Sequence, residues 1–149
     1  MTLTYDEVMA ALEAAGSEQT RKTYLRHGAS EPLFGVKFGD LRLLARKCGT
    51  DHALAEQLWA SGNTDARLLA CMVADPEQVS EAELDTWLDD IDTYFLVDTF
   101  VAEIASKTPG RRARAERWIT SDRDRTAQAG WDLMNYVALS DTAVADGYF

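Results

Sequence analysis

An all-α chain is what this sequence predicts, on three observations. Its apolar residues recur at three- and four-residue spacing and do not alternate. Three prolines and nine glycines punctuate the 149 residues, and they fall between the periodic stretches. Ser, Thr, Asp or Asn stands just before most of these stretches, where a side-chain oxygen can cap a helix.

A first helix is predicted over residues 4–15, with Thr4 and Glu7 as a capping box, Gly16 as the stop, and Val8, Leu12 and Ala15 as the apolar stripe. Ser17 caps a second that runs to His27 and ends at Gly28. Residues 29–36 are a loop, because Pro32 biases Glu31 away from helical backbone and Gly35 breaks any helix beyond it; Leu33, Phe34 and Val36 form its apolar plug. A third helix spans 38–47 and closes at Gly49. Thr50 or Asp51 caps a fourth, which carries Leu54, Leu58 and Trp59 before Gly62. Asn63 or Thr64 starts a fifth that buries Leu68, Leu69, Met72 and Val73 and ends at Asp75-Pro76. Ser80 and Glu83 form a second capping box, opening a short helix through Trp87. Asp90 or Asp92 caps a strongly apolar helix over 93–106, Pro109 sits in the first turn of a helix over 109–120, and the last helix covers 122–139.

About nine helices joined by such short turns are consecutive antiparallel neighbours. Helix pairs follow one another every ~35 to 45 residues, the range of HEAT and armadillo arrays, though without a strict internal repeat. The expected architecture is therefore a right-handed superhelix of antiparallel helix pairs, an α-solenoid formed by residues 1–149 as a single domain. The ending on Tyr148 and Phe149, without a polar cap, fits an array lacking its C-terminal repeats or one that self-associates through that end.

Net charge is −10, from 25 acids and 15 bases. This total argues against indiscriminate attachment to nucleic acid or anionic membrane. No apolar run approaches the ~18 residues of a membrane span, and the start has no secretory pattern, so a soluble cytoplasmic protein is expected. Cys48 and Cys71 lie in apolar helical patterns and are expected to be reduced core thiols. His27 and His52, at a helix end and a helix start, fit surface or capping roles. The charge, however, is segregated. Residues 18–47 hold seven bases against three acids, residues 107–125 again seven against three, and the rest of the chain totals −18. Two such stretches meeting on one face would build a polyanion groove; dispersed and paired with neighbouring acids, they would be ordinary helix surface.

The stretch Asp92-Thr-Tyr-Phe-Leu-Val-Asp98-Thr-Phe-Val-Ala-Glu-Ile104 is the most informative. Residues 94–97 and 99–102 are apolar on nearly every side, so Asp98 is expected where a charge is costly unless paired. Tyr94 lies one turn earlier on the same face. Asp98 has two readings: a carboxylate that stabilises developing positive charge or orients water while Tyr94 packs on a sugar or cationic base, or a satisfied ion pair with an arginine of residues 111–125.

Several motifs in order resemble one family: Phe34-Gly35-Val36, Asp40-Leu41-Arg42-x-x-Ala45, Leu54-Ala55-x-x-Leu58-Trp59, Asp65-Ala66-Arg67-x-Leu69-Ala70 and Ile91-Asp92-x-Tyr94-x-x-x-Asp98. Together they are similar to the AlkD-like DNA alkylation repair proteins, the bacterial HEAT-like repeat DNA glycosylases, from about residue 5 to 140. The resemblance implies hydrolysis of the N-glycosidic bond of cationic N3- or N7-alkylated purines in duplex DNA, held in a basic concave groove without flipping of the base. Asp98 then falls on the family's catalytic aspartate, and Tyr94 where the family places a tryptophan against the deoxyribose. Gln128 stands in place of the family's active-site arginine, with Arg125 one turn before it as a substitute charge. Family members carry further helix pairs with another groove aromatic; here Trp131 is the candidate groove-lining ring, while Trp59, Trp87 and Trp118 fit the core.

Two functions are compatible with these features. In the first, Lys37, Arg42, Arg46, Arg112 and Arg125 border one concave surface around Asp98 and Tyr94 and hold alkylated duplex DNA. In the second, the chain is a catalytically inactive helical-repeat module that binds protein or DNA, with its basic side chains dispersed and Asp98 locked in an internal ion pair. Neither the residues nor the resemblance implies a metal or a cofactor.

Overall fold

The computed structural model describes residues 2–140, and the C-terminal aromatics Tyr148 and Phe149 lie outside the described residues. Among the described residues nine α-helices follow in order: α1 (Tyr5–Ala15), α2 (Glu18–Arg26), α3 (Phe38–Cys48), α4 (His52–Ala60), α5 (Thr64–Val73), α6 (Glu81–Asp90), α7 (Tyr94–Glu103), α8 (Arg111–Trp118) and α9 (Asp124–Ser140). A short 3-10 turn, Ala105–Lys107, separates α7 from α8, and no strand occurs among the described residues. None of the helices is long and apolar enough to cross a membrane.

Their packing shows the array. α1 lies beside α3, α3 beside α5, α5 beside α7 and α7 beside α9, so alternate helices form one continuous layer. α4 packs back on α5 and α8 on α9, the close antiparallel pairing that short turns enforce. Between the layers Trp59 stacks on Trp87 with ring centroids 4.6 Å apart, and Phe100 meets Trp118 at 6.1 Å. Each such buried side chain contributes about 1.5–3 kcal/mol by leaving water. Cys71 is buried in this core and Cys48 half-buried, and both are free thiols.

Caps predicted from sequence set most helix starts. Thr4 and Glu7 close both bonds of their box at 3.2 Å. Ser17, Asp51 and Asn63 each accept an amide of the following turn. Three expectations change. Ser80 accepts the Glu83 amide, but the Glu83 carboxylate does not reach back, because His52 Nε2 takes it at 2.7 Å. The cap of α7 is neither Asp90 nor Asp92 but Thr93, whose hydroxyl donates to the carbonyl of His27 at 2.7 Å and so ties the end of α2 to the start of α7. α8 begins after Gly110 at φ +73°, leaving Pro109 outside it; the buried Arg114 turns back to bond Thr108 Oγ1 and the Pro109 carbonyl.

The 29–36 loop is fixed by a residue that composition alone did not single out. Asp65, fully buried on α5, accepts the backbone amides of Phe34, Gly35 and Val36 at 2.5, 3.1 and 2.7 Å. Three amide donors replace the water hydrogen bonds that this side chain loses on burial. Gly35 is required there twice over: its φ is +81°, and a Cβ would stand 2.4 Å from the Arg21 nitrogen. Tyr24 Oη donates to the Val36 carbonyl and closes the knot.

Candidate active site and nucleic-acid interface

α7 presents its core face through Leu96, Val97, Phe100 and Val101, all buried. Tyr94 and Asp98, four residues apart, form the stripe left open between α5 and α9, and both are exposed. Asp98 is thus not the desolvated charge the flanking apolar residues suggested, since those residues cover every direction except its own. It is also not locked against an arginine. Its partner is Gln128, whose Nε2 donates to Asp98 Oδ1 at 3.1 Å and to the Tyr94 carbonyl at 3.3 Å.

α9 reaches this position because Gly130 lets it lie directly on the end of α8; a Cβ there would stand 2.5 Å from the Ile119 nitrogen. Ala129, Leu133 and Val137 face the core, which turns Gln128 toward α7. Arg125 Nη1 donates to Gln128 Oε1 at 3.1 Å, so a guanidinium, an amide and a carboxylate stand in series. The amide transmits orientation and polarisation but supplies no formal charge to a phosphate. Tyr94 is held in turn by His27, whose Nδ1 lies 3.0 Å from its hydroxyl, with the two rings edge to face.

Asp132 is the site residue that sequence reasoning missed. It lies one turn past Gln128 on the same face of α9, and that one-turn spacing is the signal that could have found it. Burial first, and then the hydrogen bond and charge of Asp98, push its carboxyl up to about 7. A surface cleft of about 410 Å³ opens here, lined by Asp98, Asp132, Asn135, Tyr136 and Leu139. Trp131 is 59% exposed on α9, one turn from Gln128 and outside the cleft lining.

The basic residues divide. Lys37, exposed at the start of α3, and Arg42 and Arg46 share the layer that carries Asp98. Arg42 is paired with Glu103 of α7 at 2.9 Å, and with Arg46, Met72 and Glu103 it lines a second cleft. Arg112 is not brought together with them: it stands on α8 and lines a separate cleft with Pro109, Arg111 and Glu116. Much of the second basic stretch is neutralised by α6, with Arg114 and Arg117 on Glu81, Arg117 on Asp85 and Arg123 on Asp89.

His52, Glu56 and Glu83 bring metal-capable atoms within 4.8 Å of one another. His52 is buried, contrary to the surface or capping role expected of it. Its Nδ1 accepts the Asp75 amide, so Nε2 carries the ring proton and gives it to Glu83. A metal at Nε2 would displace the bond to Glu83 and leave the Nδ1 bond to Asp75; as it stands, His52 and Glu83 form a part-buried hydrogen-bond pair that joins α4 to α6. Burial, and next the Glu56 hydrogen bond, raise the Glu83 carboxyl.

A family model described as DNA alkylation repair enzyme matches residues 8–143. The chain belongs to that family. Among its relatives are two uncharacterized proteins, Lin0241 of Listeria innocua serovar 6a and Lmo0209 of Listeria monocytogenes serovar 1/2a. Each is 29% identical over 136 residues, covering 88% of this chain and 61% of the relative. A solved structure described as "a new family of proteins related to the HEAT-like repeat DNA glycosylases with affinity for branched DNA structures" is 34% identical. It superimposes at TM-score 0.91 over 98% of this chain and 63% of its own. The chain thus has a HEAT-like repeat fold, and it spans a little over three-fifths of the length of these relatives.

Proposed function

We propose that the chain binds duplex DNA along the layer of α3, α7 and α9 and hydrolyses the N-glycosidic bond of cationic N3- or N7-alkylated purines with the base left unflipped. The observation that carries this reading is an exposed Asp98 carboxylate, oriented by Gln128 and flanked by the accessible ring of Tyr94. As the C1′–N bond breaks, its electron pair leaves with the base and neutralises it, and positive charge develops on the sugar. Asp98 stabilises that charge through space and accepts the proton of the water that adds to C1′. Tyr94 supplies a ring face for the deoxyribose, and Arg42, Arg46 and Lys37 supply cations for the phosphates. The test is release of 7-methylguanine or 3-methyladenine from methylated duplex DNA. Wild type releases base, Asp98→Asn is slowed about 100- to 1,000-fold, and both bind DNA alike. Release that Asp98→Asn leaves intact would sink the assignment.

A second reading, DNA binding without hydrolysis, is favoured by Gln128, which brings no charge, and by the affinity for branched DNA stated for the structural neighbour. It predicts no release by wild type and tighter binding to a four-way junction than to a duplex of the same length, with salt dependence in both cases.

A further inference from the structure

Asp98 faces two groups of α9, one turn apart: the Gln128 amide, which donates to it at 3.1 Å, and the Asp132 carboxyl, which lines the same cleft. A bond between two carboxyl groups exists only when one of them holds a proton. Asp132 is the drier of the two, with its Oδ2 buried and without a partner, while Asp98 is exposed and keeps an amide donor. Of the two carboxyls, Asp132 is the one whose burial favours the protonated form.

We propose that Asp132 is the positioning residue of this site, donating its carboxyl proton to Asp98 and so holding that carboxylate ionised and aimed into the cleft. The inference rests on reading Asp98 as the group that faces the sugar. Gln128 and Asp132 together fix two directions of the Asp98 carboxylate, leaving its remaining lone pairs for water and for the charge on the sugar. When water adds to C1′ its proton passes to Asp98. The pair then holds two protons and returns one to solvent through the cleft.

The pair is suited to respond to pH. The groups facing Asp132 are Asp98 on α7 and, along α9, Arg125 through Gln128 and Tyr136 in the cleft wall. The charges of the other elements packed on α9 have partners elsewhere: Arg114 and Arg117 of α8 with Glu81 and Asp85 of α6, Asp89 with Arg123, and Lys107 of the 3-10 turn with Glu103. As pH rises through about 7 Asp132 gives up its proton, and with it the donor it offers to Asp98.

The experiment titrates the side-chain carboxyl carbons of the whole protein, free of DNA, by carbon-13 NMR, and follows base release over the same pH range. The expected result is an Asp132 midpoint near 7 that falls in Asp98→Asn. In release assays kcat falls as pH rises through that midpoint. Asp132→Asn, which keeps a donor but cannot titrate, retains kcat at pH 6 and loses the fall, whereas Asp132→Leu lowers kcat at every pH. An Asp132 midpoint in the ordinary range near ~4, or one indifferent to Asp98→Asn, would overturn the proposal. A wild type that releases no base while the pair titrates as described would instead remove the glycosidic reading, and the proton-sharing pair would stand.

Discussion

Asp65 and Asp98 are both aspartates set into apolar helices of the same layer, and the molecule uses them in opposite ways. Asp65 is fully buried and its oxygens are engaged by three backbone amides, all from one loop. Asp98 is exposed, and its partners are two side chains of a neighbouring helix. A carboxylate fully buried and held by three main-chain donors is out of a substrate's reach and serves to shape the chain. One held on a single side by movable groups keeps the capacity to take charge or a proton from outside. On the proposed reading, the kind of partner, more than the apolarity of the surrounding sequence, is what separates the roles of these two aspartates.

Changing the buried carboxylate gives the largest effect. Asp65→Ala strands three amides in the interior and is expected to cost about 3–5 kcal/mol in a denaturant titration. A cost under about 1 kcal/mol would show that the loop holds itself. Next comes the docking of the helix that supports Asp98. Gly130→Val pushes α9 away from the end of α8 and should cost about 1–3 kcal/mol of stability while also separating Gln128 from Asp98. Unchanged stability and activity would mean that α9 can shift without consequence.

Smaller effects fall on the exposed side. Trp131→Ala is expected to change stability by no more than about 0.5 kcal/mol and to weaken DNA binding by about 1 kcal/mol or more, measured by fluorescence anisotropy. An unaltered affinity would place this ring outside the interface. Smallest is Glu103→Gln, which frees Arg42 and removes a negative charge from the second cleft. Affinity should rise and the salt dependence steepen by roughly one counterion; weaker binding would mean that the Arg42–Glu103 pair is needed as built.

The helical order was largely legible because spacing and caps are local signals, and Thr4, Ser17, Asp51 and Asn63 act as their sequence neighbours imply. Where a tertiary partner competes, the local signal loses. Glu83 turns to His52 and not to its own cap, and Thr93 displaces Asp90 and Asp92 at the start of α7. Motif order carried information that composition could not. Phe34-Gly35-Val36 and Asp65-Ala66-Arg67 lie 31 residues apart yet are bonded to each other through Asp65. Tyr94 and Asp98 were found through one-turn spacing on a single helix. Asp132 was not, because its significance depends on which face of α9 meets α7, and that is decided by Gly130 against Ile119. The total charge of −10 gave no hint that α6 pairs with three of the seven bases of the second basic stretch, Arg114, Arg117 and Arg123.

The central claim, that Asp98 is placed for chemistry and Asp65 for structure, is tested most directly by single-turnover release of 7-methylguanine from methylated duplex DNA by wild type and Asp98→Asn, with the unfolding midpoint recorded on the same samples. The expected result is release slowed about 100- to 1,000-fold in Asp98→Asn, with stability unchanged within about 0.5 kcal/mol. Equal release by the two proteins, or a loss of activity matched by a loss of several kcal/mol of stability, would contradict it.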